Sequence, residues 1–251
     1  MAQKAEHEGE DVIHFSPETS REELPDKLPD SIPTAVPVPM SPLVRAYQGA
    51  AFALSAALSP YLVIPGGTLG IVASQSGSRR QLILWSSLSV FFSTIVPALF
   101  VLIQVLRGKI TDIHVMEREQ RGGPFIVAIV SSAISAGILR YMEAPIPVWS
   151  TGLILAVNGI VMLWITTFWK ISMHVSVLAA TVFAAIVTIP GVTHWQLLLM
   201  IPALIWARVT RGRHSIWQGI GGAGVACIVT AGVLYSIKLW PRVASLLDQI
   251  A

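Results

Sequence analysis

The sequence predicts an all-α fold, a polytopic transmembrane bundle of about six to seven helical spans. Hydrophobic residues make up 53% of the chain, charged residues only 12%, and the mean hydropathy is +0.67. Soluble domains carry roughly 25% charged residues. The apolar residues also fall into several segments of about 20 residues, the length of a helix that crosses a bilayer core. We therefore expect an integral, multi-pass membrane protein whose partner is the lipid bilayer and not a nucleic acid.

The first predicted domain, residues 1–42, is an acidic and proline-rich N-terminal tail. Its first 40 residues hold nine Asp or Glu against three Lys or Arg, and proline recurs every few residues towards the end. Such a composition does not bury enough apolar surface to offset the entropy of ordering, so we expect a disordered tail. The tail also lacks the apolar core of a secretory signal. Residues 43–251 form the predicted membrane domain.

Seven apolar segments follow the tail. The first contains Pro60 and precedes Pro65, which predicts a bent helix that leads into an interfacial piece. The sixth has about 14 residues, or about 21 Å of helix, and must extend into the basic loop after it or lie in thinned bilayer. The segments run approximately from Leu43 to Ile64, Gln81 to Leu106, Pro124 to Tyr141, Pro147 to Trp169, Ile171 to Ile189, His194 to Ala207 and Ser215 to Leu239.

Three polar junctions, after the second, fourth and sixth segments, are expected on one face of the membrane because each is separated from the next by two spans. They read "RGKITDIHVMEREQRGG", "KISMH" and "RVTRGRHSIWQ". Together they carry eight Lys or Arg and three His. This face therefore concentrates the cations that an anionic substrate requires. The plainer interpretation is that the arginines set the topology, and Arg211 and Arg213 in particular fit that role or headgroup contacts.

Three patterns in these junctions carry the candidate chemistry. The third junction has Arg208, then His214 six residues later and Gln218 four residues after that. The second has Lys170, Ser172 and His174, with the lysine and histidine one helical turn apart. The first has two arginines, Arg118 and Arg121, before Pro124.

Together these patterns resemble the three signatures of the type-2 phosphatidic acid phosphatase superfamily. The third junction is similar to Ser-Arg-x5-His-x3-Asp, "KISMH" to Pro-Ser-Gly-His, and "EREQRGGP" loosely to Lys-x6-Arg-Pro. The resemblance covers roughly residues 45–240 and implies a helical bundle of that superfamily's type. Four positions depart from the signatures, namely Ala207, Gln218, Ile171 and Met173. No lysine stands seven residues before either candidate arginine of the first signature, and His114 takes that place for Arg121.

The resemblance implies a membrane phosphatase that hydrolyses an isoprenoid or glycerolipid phosphate or diphosphate. By carry-over, His214 attacks phosphorus and forms a phosphohistidine, and His174 protonates the leaving oxygen. Gln218 stands where an aspartate orients the attacking imidazole, and its side-chain oxygen still accepts the ring N–H. The phosphate-binding residues it implies, or that lie beside its motifs, are Arg208, Ser172 with its hydroxyl and backbone N–H, Lys170, and Arg118 or Arg121, of which Arg121 is favoured.

Other functional classes remain open at this stage. A non-catalytic membrane subunit or a lipid-phosphate-binding relative would keep the fold and the cations with degraded signatures. A transporter would show inverted repeats, and no convincing repeat is present. We expect no metal site and no cofactor, because neither His174 nor His214 has Asp, Glu or Cys at ligand spacing.

The distribution of positive charge predicts the orientation. Eight Lys or Arg lie in the short junctions of the candidate face, against five on the other side. Positive residues near span ends favour the cytoplasm, which predicts a cytoplasmic site. The sequence leaves the oligomeric state open.

Overall fold

The computed structural model describes residues 41–111, 120–189 and 195–239, and within these ranges every regular element is a helix. The predicted N-terminal tail lies outside the described residues, apart from Ser41 and Pro42. All seven predicted apolar segments are helical over most of their described length. The helices are α1 (Pro42–Ala57), α2 (Pro60–Gln75), α3 (Arg79–Val90), α4 (Val96–Leu106), α5 (Gly122–Tyr141), α6 (Ile146–Thr166), α7 (Met173–Thr188), α8 (Met200–Thr210) and α9 (Ile216–Ser236).

Four helical stretches are long and apolar enough to cross a membrane: Arg79–Leu106, Gly122–Tyr141, Ile146–Thr166 and Ile216–Ser236. The first joins α3 to α4 through one π-helical turn, Phe91–Ile95. Counting α1 and α2 together as one broken span raises the number in the described ranges to five. The remaining apolar helices, α7 and α8, are shorter. Over the described ranges the protein is thus all-helical, and its long apolar helices are compatible with a membrane protein.

The predicted bend in the first segment is present, but the helix beyond it is longer than expected. α1 ends at Ala57, and α2 starts at Pro60 with an angle of 49° between the two. Proline fits this first turn because the missing N–H has no helical partner there. α2 then continues through Pro65 to Gln75 and does not end near Ile64. Ile71 and Val72 of this extension are buried, so packing inside the bundle replaces the predicted interfacial piece over these turns.

α7 is the central helix of the bundle. Twelve of its 16 residues are buried, and it packs against α2, α6, α8 and α9. The contact with α9 is close because Gly222 has no side chain: a Cβ there would lie 2.9 Å from Ser176 Oγ and 3.0 Å from the Ser172 carbonyl oxygen. Neighbouring helices therefore cover α7, whose 16 residues measure about 24 Å. Because α7 is central, its first turn, which contains His174, lies next to the ends of neighbouring helices.

Candidate functional site

One cavity of about 210 Å³ unites residues from all three predicted junctions. Arg121 precedes α5, Lys170 and His174 flank the start of α7, and Arg208 and His214 lie at and beyond the end of α8. Most of the predicted site is thus assembled from positions up to 93 residues apart in the chain. The cavity's polar lining residues are Ser93, Thr94, Arg121, Lys170, His174, Arg208, Arg213 and His214.

The segment between α8 and α9 is a compact turn that presents His214. Gly212 adopts a positive φ of 61°, and its N–H donates to the Val209 carbonyl at 2.8 Å. The Arg213 N–H donates to the Arg208 carbonyl at 3.0 Å, which completes a glycine-capped helix end. Two residues later Ser215 caps the start of α9. His214 therefore stands between two fixed helix ends.

Gln218 holds the imidazole of His214 in one tautomer. Its side-chain oxygen Oε1 lies 3.1 Å from His214 Nδ1 and also 3.1 Å from the backbone N of Ser215. A backbone N–H only donates, so the atom facing it must be the amide oxygen. The same oxygen then accepts a hydrogen bond from Nδ1–H of His214, which leaves the lone pair on Nε2. The contact expected of Gln218 is present, and it comes from a capping box at the start of α9.

His214 is also kept neutral by its surroundings. Its pKa is lowered to about 4, first because burial disfavours the charged imidazolium and second because Arg208 is positive. The hydrogen bond to Gln218 raises the pKa, and Arg121 and Lys170 lower it further. An unperturbed histidine has a pKa of about 6.5. At neutral pH, His214 therefore carries a free Nε2 lone pair, the form that a nucleophile requires.

This lowered pKa predicts how His214 reacts as the pH falls. Diethylpyrocarbonate modifies only neutral imidazole, so modification of His214 should persist below pH 6.5 and decline only as the pH approaches about 4. The sign follows because the neutral form is retained above the folded-state pKa. Mass spectrometry of the peptide that contains residue 214 measures the rate, with a free histidine peptide as the reference. An inflection near 6.5 would contradict the arrangement described here.

Arg208 is buried, with 6% of its surface exposed, and it is anchored by one side of its guanidinium. Nη1 donates to Ser55 Oγ of α1 at 3.1 Å, whereas Nε has no hydrogen-bond partner among the described residues. A guanidinium binds two oxygens through adjacent N–H groups on one edge. The Nε–H is therefore a buried donor that lacks a partner within the described protein and that an anionic ligand can satisfy. Arg211 also donates to Ser55 Oγ, at 3.2 Å, but does not line the cavity.

The other predicted residues on the cavity wall differ in exposure. His174 lies in the first turn of α7 and is 8% exposed, and Arg121 is 9% exposed just before α5. Lys170 is exposed at the rim. Glu143 is the single acidic residue in the described ranges, and it lies between α5 and α6, away from this cavity. Within those ranges the cavity therefore presents four Lys or Arg side chains with no carboxylate among them, which favours an anionic ligand.

Ser172 does not take the predicted position. It is fully buried beside the cavity wall, and its N–H donates to the Gln218 backbone carbonyl at 3.2 Å. That N–H is consequently not available to a phosphate in this arrangement. The bond instead joins the start of α7 to the start of α9, so the histidines His174 and His214 are held on two connected helix ends. The Ser172 hydroxyl is buried with no partner among the described residues.

Two further predictions on the first junction have different outcomes. Arg118 and His114 lie outside the described residues, so their roles stay predictions. Arg121, the favoured arginine, lines the cavity. In the three described ranges no group of three His, Cys, Asp or Glu side chains is close enough to hold a metal ion.

Several residues of this wall were not predicted from the sequence. Arg213, which the sequence favoured for topology or headgroup contacts, lines the cavity, and its backbone N–H donates to the Arg208 carbonyl in the Gly212 turn. Thr94 lines it from the π-helical turn, where one extra residue per turn rotates the following side chains. Pro60 and Tyr61 also line the cavity. The bend before Pro60, which was visible in the sequence, is the signal that could have indicated these two residues.

Comparison with known proteins yielded no match: no family model, no curated protein and no solved structure corresponds to this chain. The resemblance to the phosphatase signatures therefore rests on the residues quoted above.

Proposed function

We propose that this protein is a membrane phosphatase that hydrolyses a lipid phosphate or diphosphate through a phosphohistidine intermediate. The observation that carries the proposal is a neutral, oriented His214 in a cavity lined by four cationic side chains. Phosphoryl transfer depends mainly on positioning and on positive charge around the phosphate oxygens, and this cavity supplies both. The same cavity is lined by apolar residues of α2, α4, α5 and α7, which suits an isoprenoid or glycerolipid chain.

In the proposed complex the phosphate lies among the cations. The Nε edge of Arg208 binds two phosphate oxygens, and Arg121 and Lys170 neutralise the remaining charge. Arg213 closes the same end of the cavity. Because Arg208 and Arg121 are buried, their attraction for the phosphate is screened less by water than that of exposed side chains.

The first chemical step transfers the phosphoryl group to His214. Nε2 forms the bond to phosphorus while the bond from phosphorus to the lipid oxygen breaks. The positive charge that develops on the imidazole is stabilised by the Nδ1–H bond to Gln218 Oε1. His174 starts the cycle as the imidazolium and gives its extra proton to the departing oxygen, so that the lipid alcohol leaves neutral and His174 becomes neutral.

The second step returns the enzyme to its starting state. His174, now neutral, takes a proton from a water molecule, and the water oxygen attacks phosphorus. The bond from phosphorus to Nε2 breaks, and inorganic phosphate leaves. Both histidines regain their original protonation states, so atoms and protons balance over the cycle.

The direct test is release of inorganic phosphate by purified protein in detergent. We expect release from a panel of isoprenoid and glycerolipid phosphates and diphosphates without added divalent metal, and in the presence of a chelator. Heat-inactivated protein and detergent alone provide the background. Absence of release across the whole panel would contradict the proposal.

A second candidate is a lipid-phosphate-binding protein that has lost catalysis. The observation in its favour is Gln218, which carries no charge to stabilise the imidazolium and shares its oxygen with the Ser215 N–H. The backbone N–H of Ser172 donates to the Gln218 carbonyl and is not available to a phosphate, which also favours a protein that has lost catalysis. Binding of the lipid phosphates by calorimetry without phosphate release would support this candidate.

We further propose that the site faces the cytoplasm, on the basis of the positive-inside distribution of Lys and Arg. Single cysteines at Gly212 and Ser78, in a Cys227→Ala background, test this with a membrane-impermeant thiol reagent. Labelling at Ser78 and protection at Gly212 in intact cells is the expected result. The reverse pattern would overturn the orientation.

A further inference from the structure

The site cavity has a neighbouring cavity in the interior of the bundle. A second cavity of about 90 Å³, which we call the deep arm, lies between α5, α6, α7 and the π-helical turn. It shares six lining residues with the site cavity and therefore lies directly beside it. The shared residues are Ile64, Ser93, Phe125, Ala128, Met173 and Val177. Along α7 the wall runs from His174 to Ala180, about 9 Å of helix.

The deep arm is mostly apolar, but one buried amide in its wall is incompletely paired. Asn158 of α6 is 7% exposed and lines the arm. Its Nδ2 donates to the Ile154 carbonyl at 3.0 Å and to Thr230 Oγ1 at 3.2 Å. Its Oδ1 has no hydrogen-bond partner among the described residues. Buried polar atoms in proteins are nearly always paired, so this oxygen indicates a partner that the described residues do not supply.

The chemistry of that partner follows from the orientation of the amide. The amide nitrogen must face the Ile154 carbonyl, because the reverse orientation would set two oxygens against each other. The unpaired atom is therefore an acceptor, and it needs a donor, either a hydroxyl or an N–H. Thr94 Oγ1, in the wall of the site cavity, is likewise buried with no partner in the described ranges. A ligand with a hydroxyl or an N–H on its chain can pair such an atom, whereas a purely hydrocarbon chain cannot.

We propose that the deep arm holds the chain of the phosphorylated lipid, and that Asn158 Oδ1 accepts a hydrogen bond from a hydroxyl or amide N–H on that chain. This inference rests on the proposed function for the position of the phosphate. It narrows the substrate class to lipid phosphates whose chain carries a hydrogen-bond donor, in preference to plain isoprenyl or alkyl phosphates. The chain enters the protein interior and does not remain in the surrounding bilayer.

Binding of matched probes tests the proposal without requiring turnover. The probes are alkyl phosphates from hexyl to dodecyl and the same series with a terminal hydroxyl, titrated calorimetrically in detergent. We expect the best hydroxylated probe to bind about threefold to tenfold tighter than its plain counterpart, the effect of one neutral hydrogen bond. Asn158→Leu should remove this preference. Thr230→Val, which removes the structural partner of Asn158 and leaves Oδ1 in place, should retain it.

Blocking the arm provides an independent measurement. Ala128 lines both cavities, so Ala128→Leu should weaken binding of the longer probes about tenfold or more and leave binding of inorganic phosphate unchanged. The matched control is Ala133→Leu, the same change on the exposed face of the same helix. Equal binding of plain and hydroxylated probes by the wild type, or long-chain binding unaffected by Ala128→Leu, would overturn the proposal. Hydroxyl-selective binding without phosphate release would support the deep arm and contradict only the proposed phosphatase.

Discussion

Replacing His214 with alanine is expected to reduce phosphate release by about a thousandfold or more and to abolish the phosphoenzyme. The reason is that His214 offers a ring nitrogen that is both neutral, since the pKa is lowered to about 4, and oriented by a fixed hydrogen bond. Removal of a covalent nucleophile leaves only the rate that binding and electrostatics supply. Phosphate release and trapping of acid-labile, alkali-stable protein-bound phosphate measure the two effects.

The fold should survive this change. His214 lies in the short segment between α8 and α9, and the Ser215 cap and the Gly212 turn both form without its side chain. Circular dichroism and binding of the lipid phosphate to the His214→Ala protein provide the check. Binding should remain within about tenfold, because the arginines that hold the phosphate are unchanged.

His174→Ala serves as the contrasting variant. It removes the proton donor for the leaving oxygen and the base for water, so the loss should be largest for lipid alcohols and smaller for aryl phosphates with good leaving groups. With an aryl phosphate, the phosphoenzyme should persist longer than in the wild type. Full activity in His214→Ala, or a phosphoenzyme that survives in it, would assign the nucleophile to another residue.

The sequence predicted the helices well because their signal is local. Runs of apolar residues bounded by polar junctions define most of the helix ends. α8 extends three residues past the predicted end at Ala207, to Thr210, and is still shorter than the four candidate spans. The continuation of α2 beyond Pro65 was not predicted. A proline-glycine cluster normally ends a helix, but here burial of Ile71 and Val72 in the bundle outweighs that local preference.

The residues of the site could be predicted only in part. Unlike the helices, the site depends on contacts between residues that are distant in the sequence. His174, Arg208 and His214 could be selected by type and spacing. Ser172 could not be excluded, since its N–H is engaged by a carbonyl 46 residues away, that of Gln218. Thr94 could not be included, because a π-helical turn has no clear sequence pattern and its effect on side-chain direction appears only in the packed bundle.

The second prediction with a large expected effect concerns Arg208 and Arg211, the two arginines that donate hydrogen bonds to Ser55. Arg208 and Arg211 each donate through Nη1 to Ser55 Oγ, at 3.1 and 3.2 Å, but only Arg208 lines the cavity. Arg211 instead lies over the ring of Phe52, with 4.9 Å from its guanidinium carbon to the ring centre. The same substitution at these positions therefore separates a role in phosphate binding from a role in holding α1 against α8.

We expect Arg208→Ala to lower kcat/KM for lipid phosphates about a hundredfold to a thousandfold, the usual loss when one group that stabilises transition-state charge is removed. Arg211→Ala should change it by less than about threefold. Arg208→Lys should recover only part of the loss, because an ammonium does not reproduce a planar two-oxygen contact. Steady-state kinetics on the three variants, with thermal unfolding as the measure of fold, provide the comparison.

A second readout comes from His214. Arg208 is the largest charge that lowers its pKa, so Arg208→Ala should shift the pH dependence of diethylpyrocarbonate modification upwards, towards the unperturbed histidine. Arg211 is not among the residues that perturb His214, and its removal should leave that dependence unchanged. A merely structural role for Arg208 at Ser55 predicts instead that both variants lose stability and activity alike. Equal losses, with the modification profile of His214 unmoved, would therefore place the phosphate away from Arg208 and require a different arrangement of the site.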